Sequence, residues 1–166
     1  REKWRMSAGM AFRPQKTELT YKKGEMDTVT VRNVFNFSPE VDFRYQPKKQ
    51  TQLRFTYRGR SSDPSMENLL PITDNSNPLN IRVGNPGLKP SFSHNMNMHF
   101  NTFNMDAQRG IFSVLNGSFT QNAITNIRKY DEKTGVSTTM PENINGNWNV
   151  FGMFGINTAL KNNKKF

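Results

Sequence analysis

The chain has 166 residues, of which 34% are hydrophobic and 11% aromatic, and its mean hydropathy is −0.78. It contains no run of about 18 apolar residues, which excludes a transmembrane helix, and no cysteine, which excludes disulfides and thiolate metal sites. The net charge of +10 favours an anion pathway, a nucleic-acid binder or a partner for acidic lipid head groups, unless a missing remainder of the protein supplies compensating acids.

The first predicted strand covers residues 3–13, where apolar residues at even positions alternate with polar or small residues from Trp4 to Phe12. Alternation with a period of two puts the two sets on opposite faces of a strand. Residues 14–27 show no sustained pattern and contain a turn signal at Gly24, so they are predicted to form a loop.

The second predicted strand, residues 28–45, has the clearest pattern of the chain. It far exceeds the common strand length of about five or six residues, and a long strand with one apolar face is typical of a transmembrane barrel. Pro39 predicts a local bulge, because proline cannot donate a hydrogen bond to the ladder. The apolar face consists of odd-numbered residues: Val29, Val31, Phe35, Phe37, Val41, Phe43 and Tyr45.

Four further strands are predicted, at residues 51–60, 91–103, 110–127 and 147–160. In the strand at 110–127 apolar residues occur at both parities, and we assign the odd-numbered set to the outward face. Prolines and asparagines fill the long segment before residue 91 and favour turns over regular structure.

The connections between these strands alternate in length, as in an up-and-down barrel with long external loops and short periplasmic turns. The sequence therefore predicts an all-β, antiparallel up-and-down meander of about six strands, with residues 1–166 forming part of a transmembrane outer-membrane β-barrel. The predicted periplasmic turns are 46–50, 104–109 and 161–166, and the predicted external loops are 14–27, 61–90 and 128–146.

Five arginines share the polar parity of the second and third strands, which predicts one basic patch facing the lumen. The patch could guide an anionic solute or hold a plug, or its members could only form salt bridges with acids such as Glu40 and Asp42. Both interpretations remain open at this point. The five are Arg32, Arg44, Arg54, Arg58 and Arg60.

The sequence predicts no catalytic, cofactor or metal site, and therefore no enzyme activity. His94 and His99 have opposite parity on one strand, so they face opposite sides and cannot share a metal. The triplet Lys133-Thr134-Gly135 matches one part of a β-lactamase signature, but it has no accompanying S-x-x-K motif and is better explained as a hairpin tip.

Several motifs resemble TonB-dependent outer-membrane receptors, in particular the large Bacteroidetes barrels. They are the run from Asp74 to Leu79, then Gly84-Asn85-Pro86, then Leu88-Lys89-Pro90 before an alternating strand, and the similarity continues to residues 145–148. The resemblance implies a barrel of about 22 strands closed by an N-terminal plug, which imports a nutrient with energy passed through TonB. This chain lacks the plug and starts at Arg1 without a leader, so we interpret it as a fragment of the barrel portion.

The resemblance also implies a location and partners. The location is the outer membrane of a Gram-negative cell. The partners are outer-membrane lipid, the remainder of the barrel, a plug domain, TonB and a surface lipoprotein; nucleic acid is not expected. The expected solute contacts lie in the second external loop and are Asp74, Asn75, Asn77, Arg82 and Asn85.

A second interpretation is a soluble basic β-domain. In this alternative the aromatic face forms a core, or a stacking platform for single-stranded nucleic acid or carbohydrate. Nucleic-acid binding of that kind would weaken steeply with salt. The residues concerned are Phe35, Phe37, Phe43, Phe55 and Tyr57.

Overall fold

The computed structural model describes residues 3–23, 26–74 and 76–159. No helix in these ranges is long and apolar enough to cross a membrane. The described elements, in chain order, are β1 (Trp4–Lys23), β2 (Met26–Lys48), β3 (Thr51–Ser62), α1 (Met66–Leu69), β4 (Thr73–Asp74), β5 (Asn80–Val83), β6 (Ser91–Asn104), β7 (Arg109–Gln121), β8 (Ala123–Tyr130), β9 (Ser137–Ile144) and β10 (Asn147–Thr158).

Six long strands form one antiparallel sheet in the order β1-β2-β3-β6-β7-β10. Each strand pairs with the next long strand along the chain, so the predicted all-β, up-and-down meander is confirmed. Within the described residues β1 and β10 are the two edges of this sheet and the barrel is not closed.

The strand register puts a largely apolar set of alternating residues from all six strands on one face, while Phe112, Val114, Phe151 and Met153 lie on the opposite face. One row across the sheet runs through Met6, Phe43, Phe55, Met98 and Leu115. Leu115 therefore shares the outward face, which confirms the odd-numbered assignment for β7. Many of these side chains are exposed, as expected of a surface that meets lipid instead of water.

The part of the apolar face that lies between aromatic residues has the height of a membrane, although Val31 and Val29 continue this face of β2 beyond Phe35. From Tyr45 to Phe35, β2 rises about 34 Å along its axis at about 3.4 Å per residue, and a tilt of about 40° reduces this to a height of about 26 Å. Aromatic rings mark both limits: Trp4 pairs with Tyr45 at one end, and the ring centroid of Phe12 lies 5.4 Å from that of Phe35 at the other. This matches the apolar band of about 25 Å and the aromatic girdles of outer-membrane barrels.

The predicted loop at 14–27 is wrong. β1 and β2 continue as a hairpin whose register is unbroken from Trp4↔Tyr45 to Lys23↔Met26. Beyond the apolar band a strand needs no apolar face, so backbone hydrogen bonds hold this hairpin without the alternation on which the prediction relied.

The predicted bulge at Pro39 is also wrong. Pairing with β1 is continuous across Pro39, while pairing of β2 with β3 extends no further than Glu40↔Arg58. The missing N–H of proline is thus accommodated where β2 extends past its β3 partner. The register irregularity lies instead between Tyr45 and Lys48.

The predicted strand at 110–127 is divided, and the predicted loops at 61–90 and 128–146 contain strands. Asn122, with a φ of 50°, separates β7 from β8, because asparagine tolerates the left-handed conformation that redirects the chain. β8 then joins a second sheet of four short strands in the order β4-β5-β9-β8, which we call the outer sheet.

Candidate functional site

The outer sheet is built from the two connections that follow β3 and β7. β5 pairs in parallel with β9, from Asn80↔Ser137 to Arg82↔Thr139, and this pairing joins the two connections. β8 and β9 form an antiparallel hairpin from Ala123↔Ile144 outward. The connections therefore form one body at a single end of the barrel wall.

The tip of the β8–β9 hairpin is a tight turn around Asp131. The backbone N–H of Lys133 donates to the Asp131 carboxylate at 2.9 Å, and Gly135 takes a positive φ of 70°. Together with the Thr134 hydroxyl, the Lys133 N–H lowers the pKa of Asp131 below its usual value, because both donors stabilise the charged form.

Asparagine side chains clamp the two connections together. The Asn85 Nδ2 donates to the carbonyl oxygen of Pro141 at 3.0 Å. The side-chain amide of Asn143 accepts from the Lys89 N–H at 2.8 Å and donates to the Lys89 carbonyl at 3.0 Å. It thus satisfies both backbone groups of Lys89, as the backbone of a neighbouring strand would. These contacts hold the backbone of the first connection against β9.

A small apolar core stabilises this arrangement. Leu69, Leu70, Leu88 and Ala123 are buried and come from α1, its C-cap, the segment before β6 and the start of β8. Gly84 lies so close to Leu70 that a Cβ on Gly84 would overlap the Leu70 carbonyl oxygen. The sequence thus needs glycine where the two segments touch.

A cavity of about 660 Å³ opens between the outer sheet and the end of β1. Its charged lining residues are Glu67, Asp74 and Arg82, and Leu19 closes it on the β1 side. This volume lies within the range of about 300–1,000 Å³ of small-molecule sites. Its polar lining is completed by Asn68, Asn80, Asn126 and Thr139.

The five predicted loop contacts divide into two groups. Asp74 and Arg82 are register partners in β4 and β5, and both line the cavity, although the Asp74 carboxylate also accepts from the backbone N–H and the hydroxyl of Ser76. Asn77 instead accepts from the Leu79 N–H at 3.1 Å, and Asn85 is occupied by Pro141 and Gly87, so both stabilise turns. Asn75 lies outside the described residues.

The predicted lumen patch also divides. Asp42 accepts from Arg54 at 2.8 Å and from Arg44 at 3.2 Å, and Glu40 accepts from Arg58 at 3.0 Å. These three arginines therefore have acidic partners on the polar face.

Arg32 and Arg60 have no carboxylate within ion-pair distance among the described residues. They line a second cavity, of about 400 Å³, together with Arg13 of β1. The sequence-based prediction of the patch did not include Arg13, because it covered only the arginines of the next two strands. Arg13 nevertheless has the polar parity of its strand and pairs with Asn36. We call Arg13, Arg32 and Arg60 the outer arginine cluster.

Comparison with known proteins gives a family and a fold. All residues, 1–166, match the model of the outer membrane protein beta-barrel family. No curated protein matches the chain. Among solved structures, a double mutant of the Serratia marcescens hemophore receptor HasR, in complex with its hemophore HasA and heme, is similar at 14% identity with a TM-score of 0.51. The match covers 92% of this chain but only 27% of HasR, and at this identity it shows the fold.

Proposed function

Because the chain belongs to the outer membrane protein beta-barrel family and is located in the outer membrane, we propose that it is part of a TonB-dependent receptor of the Bacteroidetes type that takes up a nutrient. The observation that carries the proposal is the outer sheet, in which two long connections line a cavity with charged, amide and apolar side chains at one end of the wall. A purely structural barrel would have no need for such a site.

The placement of the outer sheet supports nutrient recognition from outside the cell. It follows the ends of β3 and β7, beyond the aromatic limit marked by Phe12 and Phe35, and long connections of bacterial barrels lie on the external side. Binding residues concentrate on such connections because the strands fix their position. Arg82 and Asp74 would therefore contact a solute before it enters the lumen.

The proposal also includes four partners: the remainder of the barrel, a plug, TonB and a surface lipoprotein. Six strands are fewer than the about eight of the smallest barrels, and the unpaired edges of β1 and β10 need neighbours, which the remainder of the barrel would supply. A barrel large enough for uptake also needs a plug, which TonB would act on. HasR was solved with a carrier protein, and a surface lipoprotein could engage the outer sheet in a comparable way. The proposed role is binding and transport, without catalysis.

A growth experiment tests the proposal. A strain lacking the full-length protein is compared with its parent on a panel of glycans, peptides and metal chelates as sole nutrient sources. We expect at least one nutrient to fail in this strain and, equally, in a strain without TonB. Complementation with Arg82→Gln should restore growth poorly, because the substitution removes a cation from the cavity. The matched control Arg109→Gln, at the start of β7 and far from the cavity, should restore growth fully.

Two outcomes would contradict the proposal. Growth that depends on the protein but not on TonB would make it a passive channel. If the Arg82 and Arg109 variants complement growth equally, the outer cavity does not take part in nutrient recognition.

A further inference from the structure

The outer arginine cluster lies on the lumen face just inside the outer sheet. Arg13, Arg32 and Arg60 come from three adjacent strands and line one cavity of about 400 Å³. Arg32 also donates to the carbonyl oxygen of Leu88 at 3.4 Å, so the first long connection reaches over it. A solute moving inward from the outer cavity would pass this cluster.

The cluster differs from the other lumen arginines in its lack of charge compensation. Arg44, Arg54 and Arg58 each contact Asp42 or Glu40, and their positive charge is offset at short range. Among the described residues, no acid forms an ion pair with any member of the cluster. Three guanidinium groups around one cavity therefore produce a positive potential that attracts anions.

Asp63, the one carboxylate among the described residues of this lining, offsets only part of the positive charge of the cluster. Its Oδ2 accepts from Asn36 Nδ2 at 2.8 Å, and its Oδ1 is buried without a donor among the described residues. The lining thus holds three cations and one acid. The other polar groups of the lining include the hydroxyls of Thr17, Ser38, Ser61, Ser62 and Ser65, which can donate to oxyanions.

We propose that the outer arginine cluster is a binding site for a solute that carries two or more oxyanionic groups, carboxylate or phosphate. Guanidinium groups bind both by paired, charge-assisted hydrogen bonds, and the hydroxyls supply neutral donors. The inference rests on the proposed function and deepens it, because it names the class of solute. It also divides the lumen arginines into a binding set and a set held in salt bridges.

Citrate binding to the purified full-length protein tests the site. Calorimetry in detergent at about 0.15 M salt, where charges more than about 8 Å apart are screened, compares citrate with its uncharged trimethyl ester. We expect citrate to bind and the ester not to bind. Arg13→Gln, Arg32→Gln and Arg60→Gln should each weaken citrate binding at least about tenfold, the effect of losing one charge-assisted hydrogen bond.

The matched control is Arg5→Gln. Arg5 has the same polar parity of β1 but lies roughly 27 Å from Arg13 along the strand, at about 3.4 Å per residue, so citrate affinity should stay within about twofold. A heat-dependent shift in gel mobility verifies that each variant is folded. If the Arg5 variant loses citrate affinity equally, the attraction comes from the net charge of the protein and the proposed site is overturned. Binding of the ester would overturn the site as well. So would absence of citrate binding in folded protein.

The result is separable from the proposed function, because binding is measured without TonB or uptake. If the purified protein binds citrate with the expected variant pattern but nutrient uptake by cells does not depend on TonB, the arginine site is supported and the receptor proposal is rejected. If uptake depends on TonB but the purified protein does not bind citrate, the receptor proposal is supported and the arginine site is rejected.

Discussion

Gly84 shows how one residue sets the geometry of the outer sheet. The backbone N–H of its neighbour Asn85 donates to the Asn68 carbonyl at 2.6 Å, and the Leu70 oxygen occupies the space that a Cβ on Gly84 would need. Because the obstructing atom belongs to the backbone, it cannot rotate away as a side chain could. Any larger residue must push β5 away from the C-cap of α1.

We therefore predict that Gly84→Ala loosens the connection at 61–90 in the full-length protein. Overpacking of this kind costs about 1–3 kcal/mol, so trypsin should cleave after Arg82 at least about fivefold faster. Gly117→Ala in β7 is the control, since a Cβ there meets no atom within 4 Å, and it should leave the cleavage rate unchanged. Equal rates for wild type and Gly84→Ala would show that α1 and β5 do not pack as described.

Parity along a strand predicted which arginines face the lumen, but not which of them have acidic partners. The register brings Arg58 beside Glu40, and Arg54 lies two residues from Thr56, the partner of Asp42. Such pairing depends on how two strands slide past each other, and a shift of two residues would keep every side chain on its face while changing every partner. The division of the patch therefore needed the structure.

At the scale of elements, strands inside the apolar band were predictable and structure outside it was not. Lipid imposes alternation most clearly on β2 and β6, whereas β1 continues to Lys23 beyond the apolar band. The hairpin tip at Lys133-Thr134-Gly135 is the exception outside the band, since it was predicted and lies between β8 and β9. The rest of the outer sheet left no signal because its central pairing, β5 with β9, joins short strands far apart in sequence. Local patterns carry no information on such a contact.

The β5–β9 pairing leads to an element-scale prediction that the cysteine-free chain makes easy to test. In the double variant Ile81→Cys and Thr138→Cys, register partners carry the only thiols of this chain, so a short bifunctional thiol reagent should link them on intact cells. Mass spectrometry of the cross-linked peptides measures the yield. The control pair, Ile81→Cys with Glu142→Cys, lies four residues out of register along β9 and should cross-link poorly. Comparable yields would mean that the two connections move independently.

At the scale of the whole molecule, the exposed apolar face needs lipid around it, whereas the open edges of the sheet need neighbouring strands. The face of Trp4, Met6, Phe12, Phe35 and Phe154 is stable only against lipid, and the family places the chain in the outer membrane, which argues against the soluble β-domain alternative. The edges of β1 and β10 are stable only when paired, since lipid offers no hydrogen bonds to unpaired strand groups. Both demands are met together only in a closed barrel.

This argument predicts different behaviour for the complete protein and for residues 1–166 alone. The full-length protein should stay in the outer-membrane fraction after a carbonate wash and change its gel mobility on heating, because a closed barrel resists detergent until heated. Residues 1–166 expressed alone should aggregate without a heat-dependent shift, because the edges of β1 and β10 would pair with other copies. A heat-dependent shift from residues 1–166 alone would mean that several copies close a barrel together, and the missing neighbours would then be copies of this same sheet instead of further strands of a longer chain.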